Sequence, residues 1–217
     1  MAEDTFEIRF GLKEDEIFDF RAGQHIDVAI DKLLHGDSRG SVRTFSLLSS
    51  PQNKEFIAIA FRDSGSGFKK TLLEMDLETP VAIEGPFGNF TLSREPKKDL
   101  IFMAGGIGIT PFMSMVRFAG ESGFPVNIIL VYTNKFPERA AYLSELKEIE
   151  RNNPSFKLID IYERLRPETI QSEIPDFKNR NYYLAGPPLM VSDLRQVLAD
   201  LGISEDDIYT EEFTGYK

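Results

Sequence analysis

The sequence holds no cysteine in its 217 residues. That removes disulfides, thiolate nucleophiles, cysteine-ligated zinc and conventional iron-sulfur clusters together. Histidine is nearly as scarce: His25 and His35 are too few for a histidine-rich site, so no metal centre is expected. No apolar run approaches the roughly 18 uncharged residues of a membrane span. The opening Met-Ala-Glu-Asp is acidic where an export signal needs a basic stretch followed by an apolar one, so the expected setting is cytoplasmic. A surplus of basic residues is missing too. The formal net charge is -10, with both halves negative, and such a field argues against general nucleic-acid binding.

What is present is an ordinary globular composition, 41% apolar and 28% charged, in a chain long enough for one large domain or two smaller ones. The hydrophobic pattern divides it. In the first part, Phe6, Ile8 and Phe10 share one strand face, as do Ile26, Val28 and Ile30. Further runs at Val42 to Leu48, Phe56 to Phe61 and Val81 to Glu84, punctuated by Gly and Pro, predict a closed antiparallel barrel with one short helix around Phe68 to Met75. After the polar segment Ser93 to Asp99, apolar runs at Leu100 to Ala104, Val126 to Tyr132, Phe156 to Tyr162 and Tyr182 to Ala185 alternate with helical stretches. Tyr142, Leu143, Leu146 and Ile149 fall on one helical face, and so do Met190, Leu194, Val197 and Leu201. The expected fold class is therefore β + α/β: an N-terminal antiparallel β-barrel over 1–96, then a C-terminal doubly wound parallel sheet over 97–217. Ligands of such a sheet bind beyond the carboxyl ends of its strands.

The segment Gly105-Gly106-Ile107-Gly108-Ile109-Thr110-Pro111 lies between an apolar strand and a helix. Glycines there let a backbone approach a phosphate, free amides at a helix start favour anions, and Pro111 suits the first helical turn. It is neither the Rossmann fingerprint nor a P-loop, and a tight strand-to-helix turn without a ligand would have the same look. A second turn, Gly186-Pro187-Pro188, ends another strand of the same sheet. Two such turns at one sheet edge can hold the two ends of a dinucleotide.

In the first half, Arg43 and Phe45 alternate with Thr44 and Ser46 along one strand. Ser64-Gly65-Ser66-Gly67-Phe68-Lys69 leads into the short helix, and Glu84 to Phe90 forms a glycine and aromatic turn. With Ala22-Gly23-Gln24, Arg43-Thr44-Phe45-Ser46, Ser66-Gly67-Phe68-Lys69, Gly85-Pro86-Phe87-Gly88, the Gly105 to Pro111 turn, Tyr132-Thr133-Asn134-Lys135, Gly186-Pro187-Pro188 and Glu212-Phe213-Thr214-Gly215-Tyr216 in this order, the chain resembles the ferredoxin-NADP reductase family over nearly its whole length.

The resemblance implies a flavin, FAD ahead of FMN, in the first half and NADPH or NADH in the second. It assigns Arg43 to the flavin pyrophosphate, Phe45 to the isoalloxazine ring and Ser46 to the flavin nitrogen that receives hydride. Thr44 and the amides around Gly67, Phe68 and Lys69 complete that site. It assigns Gly105, Gly106, Gly108, Thr110, Pro111, Gly186 and Pro187 to the nicotinamide nucleotide. Asn134, Lys135 and Arg139, with Arg164 and Arg166 after the next strand, lean towards the 2′-phosphate of NADPH. A carboxy-terminal aromatic would cover the flavin, Phe213 in preference to Tyr216, and Glu211 or Glu212 would join Ser46 in the reacting site. Where family members often carry a cysteine before the Gly-Pro-Pro, this chain has Ala185.

The implied activity is an NAD(P)H-dependent flavoprotein oxidoreductase. Hydride passes to the flavin, and single electrons then pass to a separate protein such as ferredoxin or an oxygenase component. Arg62, Lys69 and Lys70 offer a basic docking patch. Two other readings stay open: a reductase of free flavin or a small molecule, and a non-catalytic nucleotide-binding subunit.

Overall fold

The computed structural model describes residues 2–13 and 17–214. Its first half is antiparallel. Strand β1 (Thr5–Gly11) pairs with β4 (Phe56–Arg62), while β2 (His25–Ala29) lies between β3 (Val42–Ser46) and β5 (Ala82–Phe87). A bridge between Leu47 and Ile59 links the two small sheets, with the Leu48 amide donating to the Ala58 carbonyl at 2.7 Å beside it, so among the described residues they are joined at this point and not by a continuous ladder. The alternation read from sequence sets the register: Phe6, Ile8 and Phe10 stand opposite Phe61, Ile59 and Ile57. Helix α1 (Gly67–Glu74) closes this core with Phe68 and Leu72, and Ser66 caps it by accepting from the Lys69 amide. Strand β5 runs through Gly85-Pro86 to Phe87, where the sequence predicted a turn; the pairing with β2 shifts register there and accommodates one extra residue on β5.

The second half is a five-stranded parallel sheet in the order β10-β9-β6-β7-β8. Its strands are β6 (Asp99–Gly105), β7 (Ile128–Thr133), β8 (Phe156–Ile161), β9 (Arg180–Gly186) and β10 (Ile208–Glu212). Alternate residues feed the two faces. Leu100, Phe102 and Ala104 pack under α2 (Ile109–Ser122) and α3 (Leu143–Asn152), whereas Ile101 and Met103 pack under α4 (Pro167–Glu173) and α5 (Pro188–Asp200). Helix α4 and strand β10 have no counterpart in the sequence reading. Both are short, and β10 is a largely polar edge strand whose apolar signal is weak.

Strand β4 explains how the halves meet. Ile57, Ile59 and Phe61 face the β core, while the small Ala58 and Ala60 face the second half and join the same apolar cluster as α2. Around that contact, Ser114 Oγ donates to the Ser49 carbonyl at 2.7 Å and Arg117 to the Leu48 carbonyl at 2.9 Å. Arg117 also grips Glu145 through two nitrogens. Among the described residues no helix is long and apolar enough to cross a membrane.

Candidate functional site: two clefts with a shared wall

The first cleft, of about 690 Å³, opens between β3, the start of α1 and the end of β10. It falls within the roughly 300 to 1,000 Å³ typical of ligand pockets. Arg43, Thr44, Phe45 and Ser46 all line it, as does Lys69. Phe45 is only 6% exposed because it also packs on Phe61 and Phe68, with ring centroids 5.6 and 6.1 Å away. Gly67 and Phe68 underlie the cleft rather than line it. The Phe68 ring is in the core, and its amide points to Asp37.

At the inner end, Ser46 Oγ lies 3.5 Å from Glu211 Oε2, and His25 Nδ1 lies 3.6 Å from Glu211 Oε1. Of the two acids weighed from sequence, Glu211 makes these contacts; Glu212 lines the cleft without them. Parallel pairing with β9 places Glu211 beside Ala185 and Glu212 beside Gly186. The Phe213 amide then donates to the Gly186 carbonyl at 2.9 Å, which fixes the aromatic at the cleft. Tyr216 lies outside the described residues.

Arg39, Arg43 and Lys69 converge on the cleft wall. Burial, reinforced by Arg39 and Arg43, pushes the Lys69 ammonium down to about 8 against the pull of Asp63. Its Nζ donates to the Arg62 carbonyl at 2.6 Å.

The second cleft, of about 440 Å³, sits at the carboxyl ends of the parallel strands. Gly105, Gly106, Gly108, Asn134, Lys135 and Pro187, all assigned to the nucleotide by the resemblance, line it. Packing explains two of the glycines. A Cβ at Gly108 would stand 2.4 Å from the Ala185 carbonyl oxygen, and one at Gly105 would stand 2.0 Å from Met190 Sδ. Ala185 is fully buried beneath this contact and lines neither cleft. Two donors buried behind the lining of this cleft, Arg62 Nε and Asn134 Nδ2, have no well-formed hydrogen bond among the described residues, the Asn134 amide lying beside the Tyr132 hydroxyl. Unpaired donors of this kind fit a ligand rich in acceptors, as a nucleotide is.

Other predicted nucleotide residues sit elsewhere. Thr110 lines the first cleft and donates to the Ile107 carbonyl at 2.7 Å. Pro111 is buried in the first turn of α2, and Gly186 ends β9 behind Pro187. Arg139 turns away towards Glu3 and Asp4, and its carbonyl receives Arg62 Nη2 at 2.7 Å. Arg62, Tyr162, Arg164 and Met190 join the lining from other elements. Ile107 and Phe213 line both clefts, so the two spaces adjoin.

A cationic cleft in an antiparallel β half, sharing a wall with a cleft at the switch edge of a doubly wound sheet, defines a two-cofactor oxidoreductase architecture. Residues 1–92 match the oxidoreductase FAD-binding domain, and residues 102–196 match the oxidoreductase NAD-binding domain. The chain belongs to the ferredoxin reductase-like family of oxidoreductases. It is 24% identical over 231 residues to the reductase component of propane 2-monooxygenase from Rhodococcus jostii, covering 99% of this chain and 61% of that protein. With phenol hydroxylase P5 protein of Acinetobacter pittii it shares 28% over 218 residues, covering 93% and 60%. The chain thus spans about three fifths of the length of these relatives. The fold is also that of the cytochrome b5 reductase domain of Ulva prolifera nitrate reductase, with TM-score 0.82 and 17% identity over 97% of this chain and 93% of that one. Phthalate dioxygenase reductase gives 0.78 at 23%, over 99% and 66%.

Proposed function

We propose that the chain is an NAD(P)H-dependent flavin oxidoreductase that delivers electrons to a separate protein. The observation that carries this reading is the wall shared at Phe213 and Ile107, which brings an occupant of the nucleotide cleft against an occupant of the flavin cleft. When bound, the flavin would accept hydride from the nicotinamide and release the electrons one at a time. The chain's residues orient the partners and exclude water. Arg43, Thr44, Phe45, Ser46 and Lys69 hold the flavin, FAD ahead of FMN, over the support of Gly67 and Phe68. Ser46, with Glu211 behind it and His25 against Glu211, polarises the reacting edge. Gly105, Gly106, Gly108, Asn134 and Pro187 receive the nucleotide, and Phe213 must move aside before the rings can meet.

Lys135 and Arg164 line the nucleotide cleft and favour the 2′-phosphate of NADPH. The division of labour falls near residues 96 and 97. The reductase components among the relatives support a protein acceptor, of the oxygenase-component or ferredoxin kind. Anaerobic addition of NADPH or NADH to the purified, flavin-loaded protein tests the core of the reading. Bleaching of the visible flavin bands is expected, faster with NADPH; a protein that takes up no flavin overturns it. Reduction of a one-electron protein acceptor, compared with reduction of free flavin, tests the destination.

A further inference from the structure

The loop between β2 and β3 folds over the start of α1. The amides of Leu34 and His35 donate to Thr71 Oγ1 at 3.0 and 3.2 Å, and the Gly36 carbonyl lies so near Gly67 that a Cβ there would stand 2.3 Å from it. This lodges Asp37, with a side chain only 5% exposed, at the helix start. Its Oδ2 accepts from the Phe68 amide at 2.9 Å; its Oδ1 accepts from the Arg39 amide at 2.9 Å and from Arg43 Nη2 at 2.5 Å. The other end of the Arg43 guanidinium is directed to the carbonyls of Val42, Gly40 and Arg39, and its face lies 5.2 Å from the Phe68 ring centroid.

A helix-start amide and an arginine fork are the groups a phosphate seeks. Here a carboxylate of the chain already holds both. The amides of Phe68 and Arg39, and then Arg43, keep that carboxyl below the ordinary carboxylate range, so it stays charged at any working pH. Of the three cations on the cleft, Arg43 is matched by Asp37, and Lys69 feels the attraction of Asp63. Arg39 and Lys69 still draw a phosphate towards the cleft, but its closest contacts are taken.

Resting on the flavin reading above, we propose that Asp37 is a resident anion of the flavin-phosphate site. A phosphorylated flavin binds by competing with this carboxylate for Arg43 and the Phe68 amide. The flavin is therefore held weakly enough to exchange with the free pool, unlike a flavin gripped by an open cationic site.

The test is titration of the flavin-free protein with riboflavin, FMN and FAD, followed by quenching of flavin fluorescence, in the wild type, Asp37→Asn and Asp37→Ser. Asp37→Asn removes the charge and keeps one acceptor oxygen, for either the Phe68 or the Arg39 amide but not both; Asp37→Ser covers the case in which the amide side chain disturbs folding, which melting without flavin reports. Removing the charge should tighten FMN and FAD about tenfold or more while riboflavin moves less than about twofold. The wild-type protein should also lose its flavin on gel filtration, and Asp37→Asn should retain it. Folded variants in which phosphorylated flavins bind no better than in the wild type, or worse, overturn the proposal alone. Folded wild type and variants that bind none of the three flavins overturn the flavin reading, and the proposal with it.

Discussion

Beside the proposed flavin cleft the Phe68 amide and the Arg43 guanidinium already have a partner in Asp37, whereas behind the proposed nucleotide cleft Arg62 Nε and Asn134 Nδ2 are buried without a well-formed hydrogen bond among the described residues. The two clefts adjoin and both invite anions, yet one is internally balanced and the other has donors to spare. A balanced site costs little to leave empty, because among the described residues no buried side-chain donor or acceptor goes unpaired there. A site with orphaned donors gains most when its occupant arrives, since each unpaired group carries a desolvation penalty of about 1 to 3 kcal/mol. The nucleotide cleft should therefore respond steeply to ligand, and the flavin cleft shallowly.

The largest effect that would break this contrast comes from the glycines. Gly108→Val places a side chain against the Ala185 carbonyl, where backbone meets backbone and neither can yield. It should destabilise the protein by about 3 kcal/mol. Nucleotide binding should disappear with it, as thermal melting and nucleotide titration would report. Next, Asn134→Leu removes one orphaned donor and should weaken NAD(P)H binding about tenfold while leaving flavin affinity in place. Equal losses for both ligands, measured by titration of each, would mean that the two clefts are not independent.

A pH series sharpens the flavin side. In flavin-free protein Lys69 loses its proton near pH 8, whereas a bound phosphate would favour the charged form and raise that value. Phosphorylated flavins should hold a constant affinity below about pH 7 and weaken by roughly fivefold by pH 9, with riboflavin unaffected. The smallest effect is expected at the shared wall. Phe213→Ala should cost the flavin about threefold in affinity through lost aromatic contact, while nucleotide affinity holds or rises because the group that must move aside is gone, as the two titrations would report.

Most of the architecture was legible in the sequence because periodicity reports burial. Apolar runs such as Leu100 to Ala104 mark strands covered on both faces, and the spacing of Met190, Leu194, Val197 and Leu201 marks a helix with one face covered. Strand β10 was not legible. Ile208 to Glu212 is polar and at a sheet edge, so nothing in its hydrophobicity separates it from a tail, yet its pairing with β9 is what sets Glu211 opposite Ser46. The glycine turn was read for its phosphate-binding conformation, but the geometry adds a packing reason at Gly108 that composition cannot show. Asp37 and Arg39 lie in a polar loop, His35 to Gly40, which carries no periodic signal. Their significance depends on that loop meeting a helix start some thirty residues further along the chain. His25 carries no positional signal of its own in the sequence, and only the fold brings it to Glu211.

The apolar cluster that runs from Ala58 and Ala60 of β4 into Phe102, Phe112 and Met115 belongs to neither half alone. Cutting the chain near residue 96 would bare that seam on both pieces. The two halves should therefore lose structure in one cooperative transition, and backbone amides of β4 and β6 should exchange with solvent at the same slow, globally limited rate. Relative motion of the clefts is then confined to their rims. On the proposed reading, the approach of one ring to the other then depends on the swing of the Phe213 side chain and not on the opening of a hinge between domains.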